Sequence, residues 1–330
     1  MPTIKGTSIL VTGAAGFIGS HLAEKLVEGG ARVRGLIHYN SRNDYGNLNW
    51  VSPDILNNIE LLPGDIRDPF MVRKAVKDCD LVFHLAALIA IPYSYLAPES
   101  YFDTNAKGTL NILQACLDEG VEKVIHTSTS ETYGTAHYTP IDENHPLQGQ
   151  SPYSASKISA DKIAESYHCS FDLPVATIRP FNTFGPRQSS RAIIPAIITQ
   201  VLTGNELRLG SLAPVRDLTF VLDTVDGFLK VAGSDATIGE VVNTGTGTGI
   251  SMGDLAKKIM EVMGKDVELI RDEQRIRPEK SEVMELVCDR SKAEALTGWS
   301  PHYSLETGLQ ETIDWIRDNL DSYQSERYTI

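Results

Sequence analysis

Two short segments carry groups that can act together. Ser128-Thr129-Ser130-Glu131-Thr132-Tyr133-Gly134 offers hydroxyls and a carboxylate; Tyr153-Ser154-Ala155-Ser156-Lys157 offers a phenol and an ammonium. Residues four apart share a helix face, so a helix here sets Lys157 beside Tyr153. A nearby cation favours phenolate and lowers a tyrosine pKa from its reference value of about 10. Such a pair is a base for taking the proton from an alcohol. Glu131 adds a second base, which simple alcohol oxidation does not need. Tyr133-Gly134 reads as a packing aromatic at a turn.

These groups need a scaffold, and the first half of the chain supplies a regular one. Ser8–Thr12, Arg32–His38, Ile59–Leu62, Leu81–Leu85, Val124–Thr127 and Pro174–Ile178 are short apolar runs. Helical patterns lie between them, notably Pro98–Glu119 and Pro152–Cys169. Apolar strands alternating with helices imply a parallel sheet covered on both faces, an α/β fold. Beyond residue 180 the rhythm changes. Helices are expected at Ile193–Leu202, Ser251–Met263 and Leu305–Leu320, with short strands near Leu207–Leu209, Val241–Thr244 and Val267–Ile270. The expected division is 1–180 for the first domain, with 218–229 as a candidate return segment, and 181–330 for a smaller lobe.

The turn after the first strand reads Gly13-Ala14-Ala15-Gly16-Phe17-Ile18-Gly19. Its spacing is G-x-x-G-x-x-G, and its mechanics are those of a dinucleotide turn. Glycines permit the tight bend and close backbone approach, and the helix amino terminus receives pyrophosphate. An acid at the end of strand two would bind a ribose 2′-hydroxyl. Ile37-His38 stand there instead, followed by Arg42, which could meet a 2′-phosphate. The reading is NAD or NADP, with a lean to NADP. Asp65-Ile66 after strand three is placed for adenine, and Leu85-Ala86-Ala87 after strand four sets small residues beside the cofactor.

Bulk properties narrow the rest. The chain has 330 residues, enough for a large core, with 42% hydrophobic and 22% charged residues. A net charge of −13 argues against a nucleic-acid surface. No apolar run approaches the roughly 18 residues of a membrane span, and no secretory signal is seen. Cys79, Cys116, Cys169 and Cys288 are scattered without a C-x-x-C pair, and the histidines lack ligand spacing. No metal is expected, and buried thiols in a reducing cytoplasm are the preferred reading.

Gly13–Gly19, Asp65-Ile66-Arg67, His84-Leu85-Ala86-Ala87, Asn105-x-x-Gly108-Thr109, the Ser-Thr-Ser-Glu run and Tyr153-x-x-x-Lys157 together resemble the extended short-chain dehydrogenase/reductase superfamily. The resemblance covers nearly the whole chain. It implies a Rossmann-like doubly wound parallel sheet with a smaller carboxy-terminal α/β substrate lobe. Within the superfamily the sequence looks most like NAD(P)-dependent nucleotide-sugar 4,6-dehydratases. Thr129-Ser130-Glu131 is similar to the Thr-Ser-Glu of GDP-mannose 4,6-dehydratases; the dTDP-glucose branch carries Asp-Glu at the last two positions. Asp142–Arg187 and Arg275–Glu282 look closest to the legionaminic-acid-pathway enzymes acting on nucleotide-linked N-acetylglucosamine.

The resemblance implies an internal redox elimination on an NDP-N-acetylhexosamine, UDP- or GDP-linked, with a tightly bound cofactor. Tyr153, supported by Lys157, takes the O4 proton, and Thr129 bonds O4 or the phenol. Glu131 takes the C5 proton, and Ser130, Glu131 or a water they hold delivers a proton at C6. Asn182, Arg187, Arg191, Arg216 and Arg277 fall where diphosphate contacts are implied. A C4 epimerase, a nucleotide-glucuronate decarboxylase and 5,6-ene-forming or 5,6-ene-using relatives remain alternatives. The resemblance also implies a homodimer through the helices Pro98–Glu119 and Pro152–Cys169.

Overall fold

The computed structural model describes residues 4–275 and 278–323. The first part of the chain runs β1 (Ser8–Thr12), α1 (Phe17–Glu28), β2 (Arg32–His38), α2 (Pro53–Leu56), β3 (Ile59–Gly64), α3 (Pro69–Val76) and β4 (Leu81–His84). It continues through α4 (Ile91–Leu96), α5 (Pro98–Tyr101), α6 (Gly108–Glu119), β5 (Lys123–Thr127), α7 (Pro152–Phe171) and β6 (Val175–Pro180). The remainder comprises β7 (Asn182–Phe184), α8 (Ile193–Thr203), β8 (Glu206–Leu209), β9 (Val215–Phe220), α9 (Val221–Ala232) and β10 (Val241–Thr244). Last come β11 (Gly249–Ser251), α10 (Met252–Met263), β12 (Glu268–Arg271), β13 (Glu285–Leu286), α11 (Ser291–Thr297) and α12 (Leu305–Asp318).

Seven strands form one sheet in the order β10-β6-β5-β4-β1-β2-β3. Every pairing in it is parallel. Side chains alternate across such a sheet, so a strand apolar on both faces must be covered on both. In β1, Ile9 and Val11 enter the core beneath α1 and α9, while Leu10 enters the opposite core with Val72, Ile112 and Ala164. The sequence expectation puts Val241–Thr244 in the lobe; the sheet instead takes it as its edge strand beyond β6. The return segment is accordingly α9 plus β10. Leu218–Leu229 is the end of β9 followed by most of α9.

The lobe has its own core, in which α8, α10 and α12 surround β9 and the β8–β12 pair. β9 pairs with β7 and β13 in parallel and with β11 antiparallel. Phe17, at the start of α1, also packs against this core. The dinucleotide-type turn thereby touches both layers. Among the described residues no helix is long and apolar enough to cross a membrane.

Candidate active site

The strand order reverses between β1 and β4, so their carboxyl ends open a crevice at the topological switch point. Gly13 bends away from β1 at φ +71°, a left-handed conformation in which a side chain is strained. A Cβ there would stand 2.9 Å from the Ala86 nitrogen, and one at Gly19 would collide with the Gly13 carbonyl oxygen. Gly16 precedes α1 in extended backbone and offers no side-chain cap. The amide donors of the first turn, Phe17 and Ile18 among them, are left to an anion. Leu85, Ala86 and Ala87 follow β4 on the other side. These features fit a dinucleotide pyrophosphate.

A buried relay holds the two lips of the crevice together. Thr12 Oγ1 accepts the amides of Leu85 and Ala86, each at 3.1 Å. Its own proton therefore goes to His84 Nδ1, 2.9 Å away. His84 Nε2 then donates to Thr109 Oγ1 at 3.0 Å, and Thr109 donates to the Asn105 carbonyl at 2.6 Å. This assigns a neutral tautomer, in keeping with burial, which holds His84 well below its ordinary pKa. Asn105 sits in the π-helical stretch Phe102–Lys107 that joins α5 to α6. Its side chain clamps both backbone groups of Leu88 and reaches Ser156 on α7.

The adenosine end is less closed. Asp65 is engaged by Arg67, whose bonds hold its carboxyl below the usual range against a burial effect. Ile66 is buried against Gly108. Arg42 is exposed on a loop ordered by Asn40, whose side-chain oxygen accepts the Arg42 and Asp44 amides.

The Tyr153–Lys157 pair lies on α7, as its spacing predicts. Ser151 and Ser154 cap the helix reciprocally, and Pro152 occupies its first position. That fixes Tyr153 in the first turn. Lys157 Nζ donates to the Thr127 carbonyl at 2.6 Å. The hydrogen bond to the phenol comes from the Thr129 side chain. The expected lowering of the tyrosine pKa by its lysine is overturned: burial dominates and pushes the Tyr153 phenol well above its ordinary value, with Thr129 opposing. Burial likewise brings Lys157 down to about 8, with Asp161 opposing and Arg179 adding to the fall.

Strand β5 delivers the second segment. Thr129 Oγ1 accepts the Glu131 amide at 3.3 Å and so caps the tight turn Ser130–Tyr133. Ser130 is buried. The Glu131 carboxylate is 12% exposed, lies 3.9 Å from Arg216 Nε, and is close enough to raise the Tyr153 pKa through its charge. Tyr133 is a packing aromatic: its phenol donates to Asn243 and its ring carries the Arg179 guanidinium 4.6 Å from the centroid.

The expected substrate contacts divide. Arg216 is buried inside β9 and bridges Glu131 and Glu282, the latter at 3.7 Å. Arg191 is exposed, and its charge is felt by the Tyr101 phenol, whose ring stands edge-on to Tyr153 with centroids 6.2 Å apart. Asn182 Oδ1 is buried with no hydrogen-bond partner among the described residues. Arg187 Nη2 pairs with Glu24 on α1 at 2.8 Å, which draws it toward the dinucleotide half. Arg277 lies outside the described residues. The sequence reading passed over Thr12, Asp161, Arg179 and Glu282. Thr12 alone had a local signal, as a hydroxyl at a strand end next to the glycine turn.

The model of the family described as GDP-mannose 4,6 dehydratase matches residues 10–312. The chain belongs to this family. Its relatives include the low-salt glycan biosynthesis protein Agl12 of Haloferax volcanii, 33% identical over 93% of this chain and 97% of that one. A dTDP-glucose 4,6-dehydratase of Streptomyces antibioticus is 33% identical over 94% and 93%. The crystal structure of DesIV, a dTDP-glucose 4,6-dehydratase from Streptomyces venezuelae with NAD bound, superposes with a TM-score of 0.87 at 31% identity, covering 96% and 99%. Chains named as a UDP-glucose 4-epimerase and as a UDP-N-acetylglucosaminuronate decarboxylase match at similar identity. The family member described here is thus an NAD(P)-dependent enzyme of nucleotide-sugar chemistry with a Rossmann-like fold. Among its described residues no cluster could hold a metal ion.

Proposed function

We propose that this enzyme is a 4,6-dehydratase of a nucleotide-linked N-acetylhexosamine, UDP- or GDP-N-acetylglucosamine. The observation that carries the reading is the place of Glu131. A carboxylate stands at the mouth of β5, within electrostatic reach of the Tyr153 phenol that Thr129 also holds. Epimerisation at C4 needs only the phenol and cofactor. Elimination needs a base for the C5 proton as well.

NAD or NADP, when bound, supplies a reversible store for the hydride. The protein's residues do the proton work. Tyr153 takes the proton of the 4-hydroxyl, with Thr129 orienting both oxygens and Lys157 supplying positive charge one helical turn away. Once C4 is a ketone, the C5 proton is acidic and Glu131 removes it. The 6-hydroxyl leaves as water with a proton from Glu131, from Ser130, or from a water between them. Each general acid or base step is worth roughly 10²–10⁴-fold. Arg216, Arg191 and the unpartnered Asn182 oxygen are assigned to the sugar nucleotide, with Arg277 and Arg187 as further candidate cations. Gly13, Gly16, Phe17, Ile18, Gly19, Asp65, Ile66, Leu85, Ala86 and Ala87 are assigned to the dinucleotide, and Arg42 to a 2′-phosphate.

One observation favours a second reading. A glucuronate decarboxylase must hold a substrate carboxylate, and Arg216 stands beside Glu131 where a cation for that purpose would serve. Incubation with UDP- and GDP-N-acetylglucosamine and with a nucleotide glucuronate separates the two. Loss of water from the first pair supports the dehydratase, and carbon dioxide from the last supports the decarboxylase. We further propose a cytoplasmic homodimer. Phe102 and Leu110 on the Pro98–Glu119 run and Phe171 at the end of α7 are exposed apolar residues on the two helices assigned to its interface.

A further inference from the structure

Behind Lys157 lies a charged cluster that the proposed reaction does not use. Asp161, one turn further along α7, is 5% exposed. Its Oδ1 meets His126 Nε2 at 3.0 Å, and its Oδ2 accepts from Ser128 Oγ at 2.6 Å and Arg179 Nη2 at 2.7 Å. Ser128 in turn accepts from Arg179 Nε at 3.2 Å. The carboxylate therefore ties together adjacent strands β5 and β6 and the helix that carries the phenol and the ammonium. Lys157 itself bonds Thr127, which stands between His126 and Ser128.

The charges do not balance without Asp161. Arg179 and Lys157 are two buried cations, and a guanidinium does not release its proton in a protein. Burying a charge without a partner is strongly unfavourable, and a lysine escapes that cost by deprotonating. We propose that Asp161 is a positioning residue for the Tyr153–Lys157 pair: it offsets Arg179, keeps Lys157 an ammonium at neutral pH, and locks residues 126–128 to α7. The inference rests on the reading of Tyr153 and Lys157 as the reacting pair. The other titratable groups facing the cluster are His126 on β5, His84 on β4, Tyr133 and Glu131 in the turn after β5, Tyr153 on α7, and Glu143 before α7, whose carboxylate accepts the Asn243 amide and is felt by Arg179. Burial keeps both histidines below their ordinary pKa, so neither adds a third cation to the cluster.

The test follows Lys157 directly. Protein labelled with [15N]lysine is titrated by NMR, with Lys157→Met assigning the Nζ resonance, in wild type, Asp161→Asn and Arg179→Met. Asp161→Asn is expected to lower the Nζ midpoint by about one pH unit or more, and Arg179→Met to raise it. The alkaline limb of the turnover profile moves with the midpoint in each folded variant. A midpoint unchanged from wild type in either variant overturns the proposal, and where Asp161→Asn does not fold, Arg179→Met decides alone. If the midpoints move as expected while Tyr153→Phe and Lys157→Met keep full turnover, the role of Asp161 toward Lys157 stands and the reading of the reacting pair fails.

Discussion

The ammonium of Lys157 lies 2.6 Å from the carbonyl oxygen of Thr127, the last residue of β5. One bond thus joins the helix carrying the phenol to the strand end carrying Thr129, Ser130 and Glu131. The phenol takes its hydrogen bond from Thr129 on that same strand end. The two chemical segments meet because β5 and α7 are pinned, although more than twenty residues of chain separate Glu131 from Tyr153.

If Glu131 is the base at C5, its loss separates oxidation from elimination. Glu131→Gln is expected to keep C4 oxidation, seen as reduced-cofactor absorbance building up on substrate addition. Water loss is expected to slow by roughly 10²–10⁴-fold. Equal losses in both steps would assign Glu131 to binding instead.

The pH profile should report Lys157. The active form holds its proton, and burial brings its pKa to about 8 with Arg179 adding and Asp161 opposing. Turnover is therefore expected to fall as pH rises through about 8. A profile flat from neutrality to well above this value would remove Lys157 from the rate.

Gly19→Ala tests the dinucleotide turn. The added methyl has no room against the Gly13 carbonyl oxygen, so the turn must open. Wild type is expected to purify with cofactor bound and the variant to carry far less, measured by absorbance after denaturation. Full cofactor content would contradict the assigned site.

Thr12→Val removes the hydroxyl that satisfies the Leu85 and Ala86 amides and His84 Nδ1. Leaving buried polar groups unpaired costs about 1–3 kcal/mol. Denaturant unfolding should show this loss, with weakened cofactor retention because the Leu85–Ala87 lip is released. An unchanged midpoint would mean that water replaces the hydroxyl.

The legible parts of the sequence were those with local causes. The inner strands β1, β4, β5 and β6 are apolar runs because both faces are covered, and the Tyr-x-x-x-Lys and glycine spacings report helix and turn geometry directly. β10 was not legible in its place, since membership of the sheet is decided by pairing with β6 across a long excursion. β9 and α9 merged into one apolar run because no glycine or proline separates Phe220 from Val221. Asp161 went unread because its partners His126 and Arg179 come from two other strands, 35 and 18 residues away. Arg187 went to Glu24, a partner that only the packing of α1 brings near.

Product analysis in deuterated water tests the dehydratase reading most directly. The enzyme is incubated with UDP- and GDP-N-acetylglucosamine without added cofactor, and the products are examined by mass spectrometry and NMR. The expected product is a 4-keto-6-deoxy sugar nucleotide lighter by one water, with solvent deuterium at C5 and the hydrogen from C4 carried to C6. An isomer of unchanged composition, or release of carbon dioxide from a nucleotide glucuronate with neither substrate dehydrated, would contradict it.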